Sequence, residues 1–273
     1  MSVAAATTEH GAGLRVSNLS KTYGSGSAAN HVLSDISVEV GNGELVSVVG
    51  PSGAGKTTLL RCLGGLLTPS DGQVYFCETR VTRPLSDIAV VFQDYRSSLL
   101  PWMRVRENVA FPLEGVGVKR RERRSRAEQA LATVGLDGVG DQYPWQLSGG
   151  MQQRVAIARA LAYDSTVLLM DEPFGSVDAQ TRSDLEDLVL DLRRRLGITI
   201  ALITHDIDEA IYLGDRVVVL SGSPTTVVED VPIALGAERD QISTKSDPKF
   251  GELRTRIFKQ IRAQEQPVQP MNH

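Results

Sequence analysis

Residues 50–58 of the chain read Gly50-Pro51-Ser52-Gly53-Ala54-Gly55-Lys56-Thr57-Thr58. This run fits the pattern G-x-x-x-x-G-K-[ST], in which glycines let the backbone turn tightly so that several N–H groups point at one anion. We expect Lys56 to reach the β- and γ-phosphates of a nucleotide and the Thr57 hydroxyl to bind Mg²⁺. A chance match, roughly one in a hundred for a chain of this length, is the alternative. The run therefore predicts a phosphate-binding loop.

The sequence on both sides of this loop alternates between strand-like and helix-like patterns. Residues 45–49 form a short apolar run, and residues 57–67 have helical spacing. Other continuous aliphatic runs are typical of central strands buried on both faces of a parallel sheet: 167–170, 198–203 and 217–220. Residues 36–40 alternate like a half-buried strand, and 148–163 and 179–196 predict amphipathic helices. These patterns predict an α/β fold.

The middle of the chain departs from this alternation. Residues 119–126 are a dense run of charge, and residues 123–134 look helical with no strand-like run nearby. We therefore interpret about 94–147 as a mainly helical insertion in the α/β core. The charge run is interpreted as a solvated helix face in preference to a binding patch. A last helix is predicted over 248–263.

Two carboxylates directly follow one of the aliphatic runs. A buried strand over 167–170 would place Asp171 and Glu172 at its C-terminal edge, where ligands bind in open α/β sheets. Asp171 would hold Mg²⁺ through water, and Glu172 would act as general base on the attacking water. Without the phosphate loop, a strand that ends in a solvated acidic pair would be the default interpretation.

His205 follows the aliphatic run 198–203 and has two interpretations. It could contact the γ-phosphate and hold Glu172 and the water in line. A lone histidine after a strand is more often incidental. The other histidines, His10, His31 and His273, have no such context and are assigned no role.

The bulk composition limits the function classes. The chain has 273 residues, 41% of them hydrophobic and 23% charged, which suits a medium domain with a packed core. Its formal net charge of -4 gives no support for nucleic-acid binding, which usually needs a basic face. No apolar run approaches the roughly 20 residues that span a bilayer. Residues 1–13 lack a secretory signal and are interpreted as a flexible tail.

Residues 147–154 read Leu147-Ser148-Gly149-Gly150-Met151-Gln152-Gln153-Arg154. With the phosphate loop before it and the Asp-Glu pair after it, this string resembles the signature of ABC-type ATPases, which other phosphate-loop families lack. The resemblance implies an α/β phosphate-loop (RecA-like) ATPase core with a helical insertion subdomain and a small antiparallel β subdomain. It covers about 14–224, which we take as the ATPase domain, followed by a C-terminal extension over 225–273 that ends in a helix.

Further site residues follow from this resemblance. Tyr23 stands where the family has the aromatic ring that stacks on adenine, and Gln93 resembles the family's Q-loop glutamine. Residues 175–178 resemble the D-loop, with Asp178 at the nucleotide, and His205 resembles the switch histidine, which reverses the preference for an incidental residue. The resemblance thus implies two sets of site residues. The catalytic residues are Lys56, Gln93, Glu172 and His205, and the Mg²⁺ ligands are Thr57, Gln93 and Asp171.

The signature string implies a second site for the nucleotide. Ser148, Gly149 and Gly150 would open a helix, so that a hydroxyl, N–H groups and the helix dipole together attract an anion. In the family this site closes over the ATP on the phosphate loop of a partner. The resemblance therefore implies a head-to-tail dimer of two copies of this chain, closed by ATP and reopened by its hydrolysis.

A finer resemblance, on residues 99–102, 172–175 and 204–210, is to the ATPases of importers for nitrate, sulfonates, taurine and related small solutes. Thr225 and Thr226 depart from it, because that group usually has Gly-Arg after the Ser-Pro pair. This departure bears on which group of solutes the importer would carry and leaves the prediction of an ATPase unchanged.

The resulting hypothesis is a transporter motor on the cytoplasmic face of the cell membrane. The insertion near Gln93 would transmit ATP-driven closure to a transmembrane permease subunit, which works indirectly with a solute-binding protein. Trp102 and Met103 could line the docking groove, with Trp102 in the core as the alternative. The rival hypotheses are an ABC-type ATPase that acts on DNA or ribosomes, and a non-catalytic nucleotide-binding adaptor. The first usually has long coiled-coil insertions, and the second lacks catalytic residues that this chain has.

Overall fold

The computed structural model describes residues 12–94 and 98–265. The strands are β1 (Ala12–Tyr23), β2 (Asn30–Gly41), β3 (Leu45–Val49), β4 (Asp71–Phe76), β5 (Thr79–Arg80), β6 (Ile88–Val91), β7 (Val167–Asp171), β8 (Thr199–Ile203), β9 (Arg216–Leu220) and β10 (Val227–Pro232). The helices are α1 (Lys56–Leu63), α2 (Val105–Gly115), α3 (Arg120–Thr133), α4 (Gly149–Leu161), α5 (Ala179–Leu196), α6 (Ile207–Leu213), α7 (Ser243–Ser246) and α8 (Pro248–Glu265). Residues 1–11 of the predicted N-terminal tail lie outside the described residues, whereas residues 12 and 13 belong to β1.

The larger sheet in the described ranges has the strand order β10-β9-β3-β8-β7-β6. Its strands are parallel except β10, which pairs antiparallel with β9 at one edge. Every residue of β3, β7 and β8 is buried. Along β7, Leu168 and Leu169 face two different hydrophobic clusters, one on each side of the sheet. Burial on both faces explains the continuous aliphatic runs and confirms the predicted central strands.

The smaller sheet, β2-β1-β4-β5, is antiparallel throughout. Ile36 and Val40 of β2 are buried in one cluster with Leu59 and Leu60 of α1 and Val46 of β3. The helix that follows the phosphate loop therefore packs against residues of both sheets. This arrangement confirms the small antiparallel β subdomain that the family resemblance implied.

α1 ends four residues earlier than the helical spacing over 57–67 predicted. Gly64 caps it, and Gly65 has a φ of 67°, which is in the left-handed region that ends helices. A Cβ at Gly65 would lie 2.4 Å from the carbonyl oxygen of Arg83. The backbone of a neighbouring segment therefore requires glycine here, and the helix stops.

The insertion between β6 and α4 consists mainly of α2 and α3 in its described part. Val109 of α2 and Leu131 of α3 are buried in the cluster that also holds Val155 and Ile157 of α4. The insertion thus packs around the helix that the signature string opens.

The charge run over residues 119–126 forms the exposed first turns of α3, which begins at Arg120 rather than at the predicted residue 123. Its arginines pair with nearby carboxylates: Arg123 with Glu114 at 3.0 Å and Arg126 with Glu122 at 2.6 Å. This pattern is the one expected of a solvated helix face.

The C-terminal segment is joined closely to the core. β10 extends the main sheet beyond residue 224, and the predicted last helix is α8. Phe250 and Ile257 of α8 are fully buried, and Arg254 pairs with Asp208 of α6 at 2.5 Å. The division of the chain at 224 into an ATPase domain and an extension stays a prediction, and β10 belongs to the sheet of the ATPase core.

The burial of β8 can be tested at Leu202, which has no exposed surface. Leu202→Ala should lower the free energy of unfolding by about 3 kcal/mol, because it leaves a cavity in a packed core. Urea unfolding followed by circular dichroism measures this change. Leu196→Ala is the control, since Leu196 is 48% exposed at the end of α5 and should change the free energy by less than about 1 kcal/mol. Equal losses would contradict the central position of β8.

Candidate functional site

The candidate site lies along the C-terminal edge of the parallel strands. The phosphate loop follows β3 and His205 follows β8. Asp171 ends β7, Glu172 comes directly after it, and Gln93 follows β6. In the sheet these strands are neighbours in the order β3-β8-β7-β6. Because parallel strands end at the same edge, side chains from distant parts of the sequence meet there.

The phosphate loop has the backbone conformation that its glycines allow. Gly53 and Gly55 have φ values of 78° and 72°, in the left-handed region where other residues are strained. A Cβ at Gly55 would lie 2.6 Å from Cγ1 of Val32, so the loop packs closely against β2. A glycine at position 55 is therefore required by both the turn and the packing.

The side chain of Lys56 is held in place by backbone carbonyl groups of the phosphate loop. Its Nζ donates to the carbonyl oxygens of Gly50 at 2.8 Å and Pro51 at 3.0 Å, and the residue is 7% exposed. Burial lowers the pKa of Lys56, whereas the nearby carboxylates of Glu172 and Asp171 raise it. The ammonium group therefore lies at the loop, near enough to the carboxylates of Asp171 and Glu172 for their charges to act on it, and its role in binding phosphates stays a prediction.

Asp171 is 4% exposed, and its Oδ1 has no hydrogen-bond partner in the described part of the chain. Burial raises the pKa of this carboxyl group, and a hydrogen bond with the Thr57 side chain acts in the opposite direction. The described residues contain no group of three or more His, Cys, Asp or Glu side chains that could hold a metal ion by themselves. A hydroxyl and one carboxylate fit Mg²⁺, which usually keeps waters and substrate phosphates as its other ligands.

The side chain of Glu172 contacts both Gln93 and His205. Its Oε2 lies 3.2 Å from Nε2 of Gln93, which donates a hydrogen bond, and 3.1 Å from Nδ1 of His205. Its backbone N–H donates to the Ile203 carbonyl at 2.9 Å, and its φ of 35° is unusual for a residue with a side chain. The structure thus places His205 against the predicted general base, while the catalytic roles of these residues stay predictions.

A polar network that the sequence did not reveal, with Thr204 and Glu209 buried, fixes the residues around His205. Thr204 Oγ1 donates to Glu209 Oε2 at 2.6 Å, and Arg182 Nη1 lies 3.3 Å from Asp206 Oδ2. Asp206 caps α6 by accepting from the N–H groups of residues 208 and 209. The only local signal is an aspartate followed three residues later by a glutamate, a pattern typical of helix starts.

The signature string starts α4 as predicted. Ser148 is the N-cap, and its Oγ accepts from the N–H of Met151 at 3.3 Å. A Cβ at Gly150 would lie 2.3 Å from Cγ2 of Thr181, so the signature packs directly against the start of α5. In the described residues, no hydrogen bond joins 148–150 to the phosphate loop of the same chain. The nucleotide contacts of Ser148, Gly149 and Gly150 stay predictions.

Asp178, the last residue of the predicted D-loop, caps α5. It accepts from the Thr181 N–H at 3.0 Å and from the Thr181 hydroxyl at 2.7 Å. Hydrogen bonds from Thr181 lower the pKa of the Asp178 carboxyl group, so it is ionised at neutral pH. Its contact with a nucleotide stays a prediction.

Tyr23 ends β1 with its ring 41% exposed. Lys21 Nζ lies 5.2 Å from the ring centroid and donates to the Thr68 carbonyl at 2.8 Å. A half-exposed ring held on one side by a cation suits the predicted stacking on adenine, which is untested.

The insertion carries a groove of about 340 Å³ between α2 and α3. Met103, Ala110 and Phe111 supply its apolar lining, and charged residues such as Glu107 and Arg123 surround them. Trp102 is 71% exposed, so the alternative that it is a core residue is wrong.

A phosphate loop at the end of one parallel strand, with an Asp-Glu pair ending another, defines the class of phosphate-loop nucleoside triphosphatases. Comparison with known proteins narrows this class. The family model described as "ABC transporter" matches residues 33–175. The chain is 44% identical over 246 residues to the taurine import ATP-binding protein of Pseudomonas putida, which covers 89% of this chain and 93% of the relative.

Two further matches agree with this one. The taurine import ATP-binding protein of Escherichia coli O157:H7 is 42% identical over 258 residues, covering 92% of this chain and 99% of the relative. A solved dimeric post-hydrolysis structure of the ATP-binding cassette MJ0796, bound to ADP and Pi, has a TM-score of 0.71 and 33% identity. It covers 82% of this chain and 100% of that chain. The chain belongs to the ABC transporter family and is an ATPase of the ATP-binding cassette type, which confirms the predicted resemblance and fold class.

The network beside His205 predicts a specific pH dependence. Burial is the main cause that raises the pKa of Glu209 to about 7, from 4.5 in an unfolded chain. Between these values the folded state binds more protons than the unfolded state, so this group lowers stability as the pH rises from about 4.5 to 7. Glu209→Gln should remove that contribution, which is at most a few kcal/mol.

Urea unfolding at pH 5, 6 and 8 measures this effect. The stability of Glu209→Gln relative to the unmodified chain should increase with pH. Glu238→Gln, which changes an exposed glutamate, is the control and should show no such trend. A pH-independent difference for Glu209→Gln would rule out a titrating buried glutamate.

Proposed function

We propose that this chain is the ATP-binding and ATP-hydrolysing subunit of an ABC importer for a small solute of the taurine, sulfonate or nitrate type. The observation that carries the proposal is the convergence of Lys56, Asp171, Glu172, Gln93 and His205 at one edge of the parallel sheet. The import function and the class of solute are supported by relatives named for taurine import. Import of a named solute by this chain is a proposal.

In the proposed site, backbone N–H groups of the phosphate loop over residues 52–58 and the Lys56 ammonium bind the phosphates of ATP. Thr57, Asp171 and Gln93 would hold Mg²⁺, which neutralises charge that develops on the phosphates. Glu172 accepts a proton from the attacking water as general base. His205 and Gln93 both contact its Oε2 and thereby orient this carboxylate.

A second copy of this chain completes the proposed site. Ser148, Gly149 and Gly150 at the start of α4 would bind the γ-phosphate of ATP held by the partner, because a helix N-terminus favours an anion. Asp178 lies close to these residues, because Thr181 contacts both: its hydroxyl donates to the Asp178 carboxylate, and its methyl group packs against Gly150. The dimeric cassette bound to ADP and Pi supports this arrangement as a property of a related protein.

A transmembrane permease is the proposed partner of the insertion. None of the helices in residues 12–94 and 98–265 has the length and apolar character that a membrane span requires. The groove lined by Met103, Ala110 and Phe111 offers an apolar surface with a charged rim, which fits a helix of another protein. We place the chain at the cytoplasmic face of the membrane, where the permease would couple it indirectly to a solute-binding protein.

Glu172→Gln tests the catalytic assignment. This variant should still bind ATP but lose at least about 100-fold in turnover, because the amide cannot accept the proton of the attacking water. It should also accumulate as an ATP-bound dimer in size-exclusion chromatography. Lys56→Ala is the contrasting variant and should fail to bind ATP. A Glu172→Gln variant that hydrolyses ATP normally and stays monomeric would refute the assignment.

Phe111→Ala tests the docking groove. Phe111 is 48% exposed on α2, and Phe258, the matched control, is 49% exposed on α8. When the chain is co-expressed with a permease that the unmodified chain binds, Phe111→Ala should reduce permease recovery about tenfold, since buried aromatics dominate interface energy. Phe258→Ala should leave recovery unchanged. Equal recovery with both variants would exclude the groove as the docking surface.

A further inference from the structure

The turn between β9 and β10, residues 221–226, contacts the phosphate loop. Its central residue, Thr225, has no exposed surface. The Thr225 N–H donates to the Val32 carbonyl at 2.9 Å, and the Thr225 carbonyl accepts from the Ser34 N–H at 2.8 Å. These two bonds fix Thr225 alongside β2. Its side chain is then directed at the phosphate loop.

The Thr225 hydroxyl donates to the carbonyl oxygen of Ala54, with Oγ1 and O 2.5 Å apart. Ala54 is 1% exposed, so this carbonyl is shielded from water. A buried carbonyl that loses its donor costs free energy, because no solvent molecule replaces the bond. The hydroxyl of Thr225 therefore fixes the direction in which the Ala54 carbonyl points.

The direction of this carbonyl determines the direction of the next N–H. The peptide between Ala54 and Gly55 is trans, since Ser223-Pro224 is the cis bond among the described residues. In a planar trans peptide, the carbonyl and the following N–H point in opposite directions. The Gly55 N–H consequently points away from Thr225.

Packing around the phosphate loop restricts the peptide between Ala54 and Gly55 only in part. Gly55 is close to Val32, and a Cβ at Gly50 would lie 3.1 Å from Leu220 at the end of β9. These contacts position the ends of the loop, but Gly53 and Gly55 are glycines whose backbone rotates easily. The hydrogen bond from Thr225 thus limits rotation of the peptide between Ala54 and Gly55.

We propose that Thr225 is a positioning residue for nucleotide binding, whose hydroxyl orients the Gly55 N–H towards the phosphates of ATP. The inference rests on the proposed role of residues 50–58. The hydrogen bonds of Thr225 are to Ala54, Val32 and Ser34, whereas the residues proposed to act on the attacking water, Gln93, Glu172 and His205, follow β6, β7 and β8. Loss of the Thr225 hydroxyl should therefore weaken ATP binding and leave the turnover of bound ATP nearly unchanged.

The test compares Thr225→Val, which keeps the shape of the side chain without the donor, with Thr225→Ser, which keeps the donor. Binding of Mg-ATP to the full chain is measured by isothermal titration calorimetry, together with kcat and KM. Thr225→Val should raise the dissociation constant and KM about tenfold, or about 1.4 kcal/mol. Its kcat should stay within about twofold, and Thr225→Ser should bind like the unmodified chain.

Thr226→Val is the matched control, because the Thr226 hydroxyl lies 3.1 Å from the Ser221 hydroxyl and is part of the same turn. It should leave ATP binding unchanged. If Thr225→Val does not fold, Thr225→Ala replaces it with the same expected result. Unchanged affinity of the donor-free variant, or equal losses in Thr225→Val and Thr225→Ser, overturns the inference. Failure of the unmodified chain to bind ATP instead overturns the proposed site itself.

Discussion

The common direction of β3, β8, β7 and β6 is the constraint on which the rest of the structure depends. Parallel strands bring their C-terminal ends to one edge, and the residues that follow those ends converge although they are far apart in the sequence. Lys56, Glu172, His205 and Gln93 meet for this reason. The apolar strands, buried on both faces, supply the stability that holds this edge rigid while the loops beyond it bind and react.

Much of this arrangement was predictable because its signals are local. A strand buried on both faces is continuously aliphatic, so β3, β7 and β8 can be read directly from the sequence. The glycines of the phosphate loop are a local signal too, because they mark the positions where the backbone has a left-handed conformation. Gln93 carries no such signal and was found through family resemblance alone, and the structure places its amide on Glu172.

Three of the missed features depend on pairs of residues far apart in the sequence. Thr225 appeared as a mere departure from related sequences, because nothing near it indicates that its hydroxyl reaches Ala54. The early end of α1 depends on the backbone of Arg83, which lies in another segment. The strand β10 was not predicted, since an edge strand of mixed polarity resembles a loop until its partner is known.

One carboxylate oxygen, Oε2 of Glu172, is shared by Gln93 and His205. Gln93 lies at the entry to the insertion, whereas His205 precedes α6, which is joined to α8 through Asp208 and Arg254. Two remote parts of the molecule therefore have a common point of contact. Coupling between binding events at two such parts is reciprocal: if a partner bound at the insertion changes the affinity for a nucleotide near this oxygen, the nucleotide changes the affinity for that partner by the same factor.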